Sequence, residues 1–299
     1  MSDFHSGRAF GSSPPPAPTE SAGGESPKSG PASPAGTGAS WTPPEVFSAP
    51  VHPRRDPPWG VYGVVGFGIF FLLALILISA LGFGIYALRH GIRDAATLQK
   101  AVAHNAFLLI PIQAIVYALS LGFLYVNVRL YHGVEFWKSI RWNSLPGRLA
   151  QRYLSLGCLA AVAIQVASGL AAPKKKLPID ELLSSPGAIY LLAAFGILVA
   201  PFVEEVVFRG YLYPVLARAW GTSAGILATA LLFAAIHAQQ LWGGWAQIAL
   251  ILLVGLILTY VRARTGSVLA SYLVHLSYNL TVFLLIWVVT DFFRKLPMK

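Results

Sequence analysis

From Trp59 onward the chain is a succession of long apolar runs separated by short polar segments, at roughly 59–88, 104–128, 153–172, 187–208, 222–239, 243–262 and 266–290. A helix rising 1.5 Å per residue needs about 20 mostly apolar residues to cross the hydrocarbon of a bilayer. The pattern therefore predicts an all-α, polytopic transmembrane helix bundle of about seven spans. Charge and two prolines, Pro201 and Pro214, intrude between the fourth and fifth runs. Tyrosine and tryptophan gather near the run ends, as at Trp59, Tyr86, Tyr125, Trp137, Trp142, Trp220 and Trp242, where an interfacial belt belongs. Residues 1–57 are different, being rich in Pro, Ser, Gly and Ala. They lack the apolar mass that offsets the entropy of ordering, so a disordered tail is expected there, followed by one transmembrane helical domain over 58–299. The tail has no early apolar stretch and does not read as a signal peptide. No pair of interrupted helices recurs in the two halves, as it does in many transporters.

Composition turns this pattern into a statement about solvent. Only 11% of the 299 residues are charged and 56% are hydrophobic, with a mean hydropathy of +0.62; a soluble domain carries roughly a quarter charged residues. The net charge of +10 would suggest nucleic acid in a soluble protein. Here the Lys and Arg residues flank apolar runs, which is the placement of topology signals and headgroup contacts, so membrane lipids are the expected partners and nucleic acid is not. With the N-terminus inside, thirteen of the 22 basic residues fall on the inner side and nine on the other. That bias favours a cytoplasmic N-terminus, against the contrary pull of Lys174–Lys176. The single cysteine, Cys158, excludes a disulfide framework and is expected to be a small buried hydrophobe.

Sorting the ionisable residues leaves few inside the spans. Ten of the twelve acidic residues lie in the tail, the loops or the end of the last run; Glu204 and Glu205 remain, side by side. Of the seven histidines, His237 and His275 alone sit well inside apolar runs. A charged side chain at mid-bilayer costs about 3 kcal/mol on insertion scales, so such residues persist where they face a cavity or a partner. A functional site is the leading explanation. The plainer alternative is that the carboxylates lie near the interface and only hold helices together.

Spacing adds detail. In EEVVFR (204–209), Glu205 and Arg209 are four apart and share a helical face, while Glu204 is turned about 100° away. Phe233 and His237 in FAAIH share a face, as do His275 and Asn279 in HLSYN, the last two as donors aimed at one point. Taken together and in this order, the three motifs resemble those of the CAAX protease and bacteriocin-processing (Abi) family of intramembrane proteases, which includes the type II CAAX prenyl endopeptidases. The resemblance covers about 105–290, including the aromatic-basic loop FWKSIRWN (136–143).

The resemblance implies an intramembrane endopeptidase. Glu204 would be the general base, His237 would help position the attacking water, and His275 with Asn279 would form the oxyanion hole. Glu205, tied to Arg209, would orient rather than react, and Phe233 supports. Relatives have been read both as zinc enzymes and as metal-free glutamate proteases. Glu204, His237 and His275 are an acceptable zinc set, but HExxH is absent and Glu204 would serve as both ligand and base, so no cofactor is expected and zinc is the alternative. The expected substrate is a protein or peptide, with C-terminal lipidation suggested only by the prenyl endopeptidase relatives. Two other classes compete: a non-catalytic scaffold or immunity-type membrane protein of the same fold, and an ion or proton transporter using the acidic pair as a relay. Two further patterns have local explanations. GTSAG (221–225) mimics a nucleophile elbow, but Ser223 at a helix start reads as an N-cap. GFGIYA (82–87) lies in an apolar helix, where glycines serve close packing.

Overall fold

The computed structural model describes residues 56–103, 105–170 and 186–291. The expected tail, the Lys174–Lys176 run, His104 and the basic C-terminus lie outside the described residues. Six described helices are long and apolar enough to cross a membrane. They are α1 (Val61–His90), α3 (Ala106–Tyr131), α5 (Gly147–Leu170), α6 (Gly187–Trp220), α8 (Trp245–Thr265) and α9 (Val268–Val289). Two shorter helices lie outside the spans, α2 (Ala95–Ala103) before α3 and the single turn α4 (Phe136–Ser139) after it. No strand occurs among the described residues. The protein is an integral, multi-pass membrane protein.

The fifth expected run forms the shortest helix of the seven. It forms α7, Thr222–His237, of only 16 residues, about 24 Å long against roughly 30 Å of hydrocarbon. His237 is its last residue. Its start also differs from expectation: the N-cap is Gly221 with φ 84°, without a side-chain cap, and Ser223 lies inside the first turn. Cys158 faces outward on α5, toward lipid, and is not a core residue.

One end of the bundle is stitched by polar contacts that chain hydropathy cannot show. Arg141 pairs with Asp56, and the Arg141 carbonyl accepts the N–H of Val268. The Asn143 amide donates to Gly266 O at 3.3 Å, and the Ser267 hydroxyl to Asn143 O at 3.2 Å. Arg218 donates to the carbonyls of Pro57 and Trp59 at 2.5 and 2.8 Å. The buried indole of Trp59 donates to Tyr211 O at 3.0 Å and stacks on the Tyr211 ring. The starts of α1, α5 and α9 and the ends of α3, α6 and α8 therefore meet at this face. Helix α9 packs on α5 through Gly157, where any Cβ would strike the Val274 carbonyl and the Ser277 hydroxyl. Gly82 does the same for α1 against Ile112 of α3, whereas Gly84 faces open space, so only one of the two glycines is a packing residue.

Helix α6 is not uniform. It contains two π-helical turns, Phe195–Val199 and Glu205–Leu212, each followed two residues later by a proline, Pro201 and Pro214. Turns of this kind recur at functional sites, because the extra residue re-aims side chains and frees backbone groups. The second turn carries the acidic motif.

Candidate active site

The centre of the site is a fully buried ion pair on one π-helical turn. Arg209 Nη1 donates to Glu205 Oε1 at 2.9 Å, and both side chains are 0% exposed. The rest of the guanidinium is also occupied. Nη2 donates to the Gly255 carbonyl at 3.2 Å and Nε to the Thr259 hydroxyl at 3.3 Å, both on α8. Its flat face lies over the Phe233 ring, 4.5 Å from the centroid, where the ring quadrupole favours a cation. Phe233 also meets Phe208 edge-on at 5.4 Å and His275 at 5.8 Å. The Phe233 expected only to share a face with His237 is thus the common wall of the whole cluster.

His275, on α9, lies between the two carboxylates. Its Nδ1 is 2.9 Å from Glu205 Oε1, and its Nε2 is 3.8 Å from Glu204 Oε2. A carboxylate can only accept, so the proton of the shorter contact sits on Nδ1. Glu205 Oε2 has no hydrogen-bond partner although it is buried.

Glu204 has a different environment from its neighbour. Its side chain retains 9% exposure where that of Glu205 has none. It has no guanidinium bound to it; its Oε1 accepts from the Tyr117 hydroxyl at 3.0 Å. Tyr117 comes from α3 and stacks on Phe195 of α6, with centroids 5.7 Å apart. The carboxylate is therefore held on one oxygen by a neutral donor, and the other oxygen faces the His275 ring.

His237 joins the cluster through Phe233. The two rings lie 4.7 Å apart, and Nδ1 is 2.7 Å from the Phe233 carbonyl one turn back. That carbonyl fixes the tautomer: Nδ1 carries the hydrogen, and Nε2 keeps a lone pair. His237 is half-buried. Asn279, one turn along α9 from His275, donates one of its two Nδ2 hydrogens to the Gly196 carbonyl of α6 at 2.7 Å.

Four participants escape a reading of the sequence. Tyr117 is one of several hydroxyls in an apolar run, 87 positions from its partner, and no spacing rule links them. Thr259 and Gly255 are likewise ordinary within α8. Arg262 reads along the chain as a flanking topology charge, yet it is buried and its Nε donates to the Arg209 carbonyl at 3.1 Å. Its only sequence signal is its position at the very end of an apolar run.

The zinc alternative can be tested against the donors. Glu204 and His275 approach each other, but His237 does not complete a set. No group of three His, Cys, Asp or Glu side chains among the described residues is placed to hold a metal ion. The arrangement does not fit a three-ligand zinc site.

Comparison with known proteins follows the same residues. Residues 186–281 match the family model of Rce1-like, type II CAAX prenyl endopeptidases. The match contains all three motifs and bears out the resemblance seen in them, over a shorter stretch than 105–290; Tyr117 lies outside it. The chain is 35% identical over 130 residues to an uncharacterized 24.3 kDa protein of Escherichia coli. The alignment takes in 40% of this chain and 58% of that protein, so the chain spans rather more than half the length of this relative. No solved structure matches.

Proposed function

We propose that the protein is an intramembrane endopeptidase in which a water activated by Glu204 attacks a peptide carbonyl. The observation that carries this reading is the unequal treatment of two adjacent carboxylates. Glu205 is closed off by Arg209 and His275, while Glu204 keeps an oxygen facing His275 and some exposure. The match of 186–281 to a prenyl endopeptidase family supports the reaction class. In this scheme Glu204 takes the proton of the water, and the His237 lone pair accepts its other hydrogen and orients it. His275 donates from Nε2 to the developing oxyanion, for which the ring is the imidazolium. The scheme needs no metal, and the donor placement above supports that choice.

The substrate class that the family match suggests is a protein cut near a C-terminal lipidated cysteine, reached from the cytoplasmic side. A cytoplasmic N-terminus is supported by the excess of Arg and Lys at the stitched end among the described residues, with Arg129, Lys138, Arg141, Arg148, Arg152, Arg218 and Arg264 there against Arg89, Arg93 and Lys100 opposite. The test is cleavage of a membrane proteome by purified protein, with new termini mapped by mass spectrometry. Wild type after exhaustive chelation is expected to generate termini that Glu204→Gln does not. Equal cleavage by Glu204→Gln refutes the base assignment; activity lost on chelation and restored by one equivalent of zinc refutes the metal-free scheme.

A further inference from the structure

The two π-helical turns of α6 share a backbone problem. In the first, the N–H of Ala200 bonds to the Phe195 carbonyl, five residues back. The next carbonyl, Gly196, would by the same register accept from residue 201, which is proline and has no N–H. In the second, the N–H of Tyr213 bonds to the Phe208 carbonyl. The next carbonyl, Arg209, would accept from residue 214, again a proline. Each proline therefore leaves one carbonyl, five residues before it, without its helical donor. An unpaired backbone acceptor inside a membrane protein is strongly unfavourable, so something else must reach it.

Both orphans are met by side chains from other helices. Asn279 of α9 donates Nδ2 to Gly196 O at 2.7 Å, and Arg262 of α8 donates Nε to Arg209 O at 3.1 Å. The two donors bracket the segment that carries Glu204 and Glu205. We propose that Asn279 and Arg262 are positioning residues, which clamp the two proline-interrupted turns on either side of the carboxylate pair. Asn279 then acts on catalysis by fixing α6 against α9, the helix that carries His275. The bond to Gly196 uses one of the two Nδ2 hydrogens of Asn279. Arg262 fixes the backbone of Arg209, and through it the orientation of Glu205. As a statement about turnover this rests on the peptidase reading; as a statement about structure it does not.

The proline supplies the test, because replacing it restores the missing N–H. Asn279→Ala, Pro201→Ala and the double variant are compared in detergent by thermal unfolding and by kcat and KM on a cleaved peptide. Arg262→Met, Pro214→Ala and their double form the second cycle. Asn279→Ala is expected to lower the unfolding midpoint and to cut kcat about tenfold, a loss of ~1.4 kcal/mol in transition-state stabilisation, with KM within about twofold. Adding Pro201→Ala is expected to recover most of both losses, since residue 201 can then donate to Gly196. A kcat loss on Asn279→Ala that is the same whether or not Pro201 has been replaced overturns the proposal and makes Asn279 a donor to the reacting atoms. Midpoint losses that simply add overturn the clamp itself. If Asn279→Ala does not fold, recovery of folded protein in the double variant supports the clamp and failure to recover overturns it. The midpoints need no substrate, so a protein that cleaves nothing refutes the peptidase reading while the clamp is still decided.

Discussion

Removing the Arg209 side chain is the sharpest probe of the buried cluster. In Arg209→Met the Gly255 carbonyl and the Thr259 hydroxyl lose a donor each, but they keep one another, at 2.7 Å. The damage falls on Glu205. Its Oε2 already lacks a partner, and Oε1 would be left with His275 alone. Breaking a buried pair by deleting one partner costs roughly 3–5 kcal/mol, because the survivor is an uncompensated charge. Loss of the cation over Phe233 adds about 0.5–2 kcal/mol. For a domain of this size 1 kcal/mol moves the midpoint by roughly 2–4 °C, so a fall of at least about 7 °C is expected. Glu205→Gln on top of Arg209→Met removes the stranded charge and should recover about half or more of the loss, although turnover stays low because His275 has lost its anchor. Equilibrium unfolding in mixed micelles, read by tryptophan fluorescence, measures all three variants. A single variant within about 1 kcal/mol of wild type, or a double variant no better than the single, would refute the picture of Glu205 as a carboxylate held in place by its cation.

Tyr117→Phe removes one neutral donor from the proposed base and leaves the stack on Phe195; kcat should fall about tenfold, or ~1.4 kcal/mol, with KM unchanged, and full activity in steady-state kinetics would show the hydroxyl to be incidental. Gly157→Ala must push α5 from the α9 backbone and is expected to cost about 1–3 kcal/mol, whereas Gly122→Ala, which meets nothing within 4 Å, should be neutral by the same unfolding assay. Asp56→Asn breaks an exposed ion pair with Arg141 and should change stability by less than about 1 kcal/mol. Asp94 caps α2 through the Thr97 N–H and hydroxyl, both at 2.8 Å, and these bonds hold its carboxyl below the usual carboxylate range. The cap is therefore fully formed above about pH 4 and is lost as the pH falls through the lowered folded value; amide exchange in α2 should quicken there and nowhere near neutrality.

What the sequence makes legible is whatever depends on local spacing. The long runs become helices because burying an unpaired backbone in lipid leaves no alternative. Glu205 and Arg209 pair because four residues bring them onto one face, even on a π-helical turn. His237 and Phe233 meet for the same reason. What stays hidden depends on partners far along the chain. Tyr117 and Glu204, or Asn279 and Gly196, become neighbours only when α3, α6 and α9 pack, and no periodicity records that. The fifth run forms a shorter helix than its apolar length suggests, because hydropathy registers apolar character and not where a helix stops. Arg262 misleads for a related reason: a cation at a run's end looks the same whether it turns outward to headgroups or inward to a carbonyl. Only the presence of Pro214 hints that an acceptor would need it.

Two adjacent glutamates of identical chemistry also raise a question of assignment that geometry alone can argue. For Glu205 to accept a proton from water, it would have to release a guanidinium held by three further contacts on α8 and Phe233, and give up the 2.9 Å bond to His275. The first of these separations alone costs several kcal/mol in a buried setting. Glu204 faces no such expense, since one oxygen is oriented by a hydroxyl and the other is not hydrogen-bonded to the 3.8 Å imidazole. Proton transfer to Glu204 can then proceed without disturbing the ion pair that keeps His275 aimed at it. The division of labour follows from the rotation of about 100° between consecutive helical residues, which gives the two glutamates different neighbours, and it requires Glu205→Gln to weaken turnover through His275 while Glu204→Gln removes it.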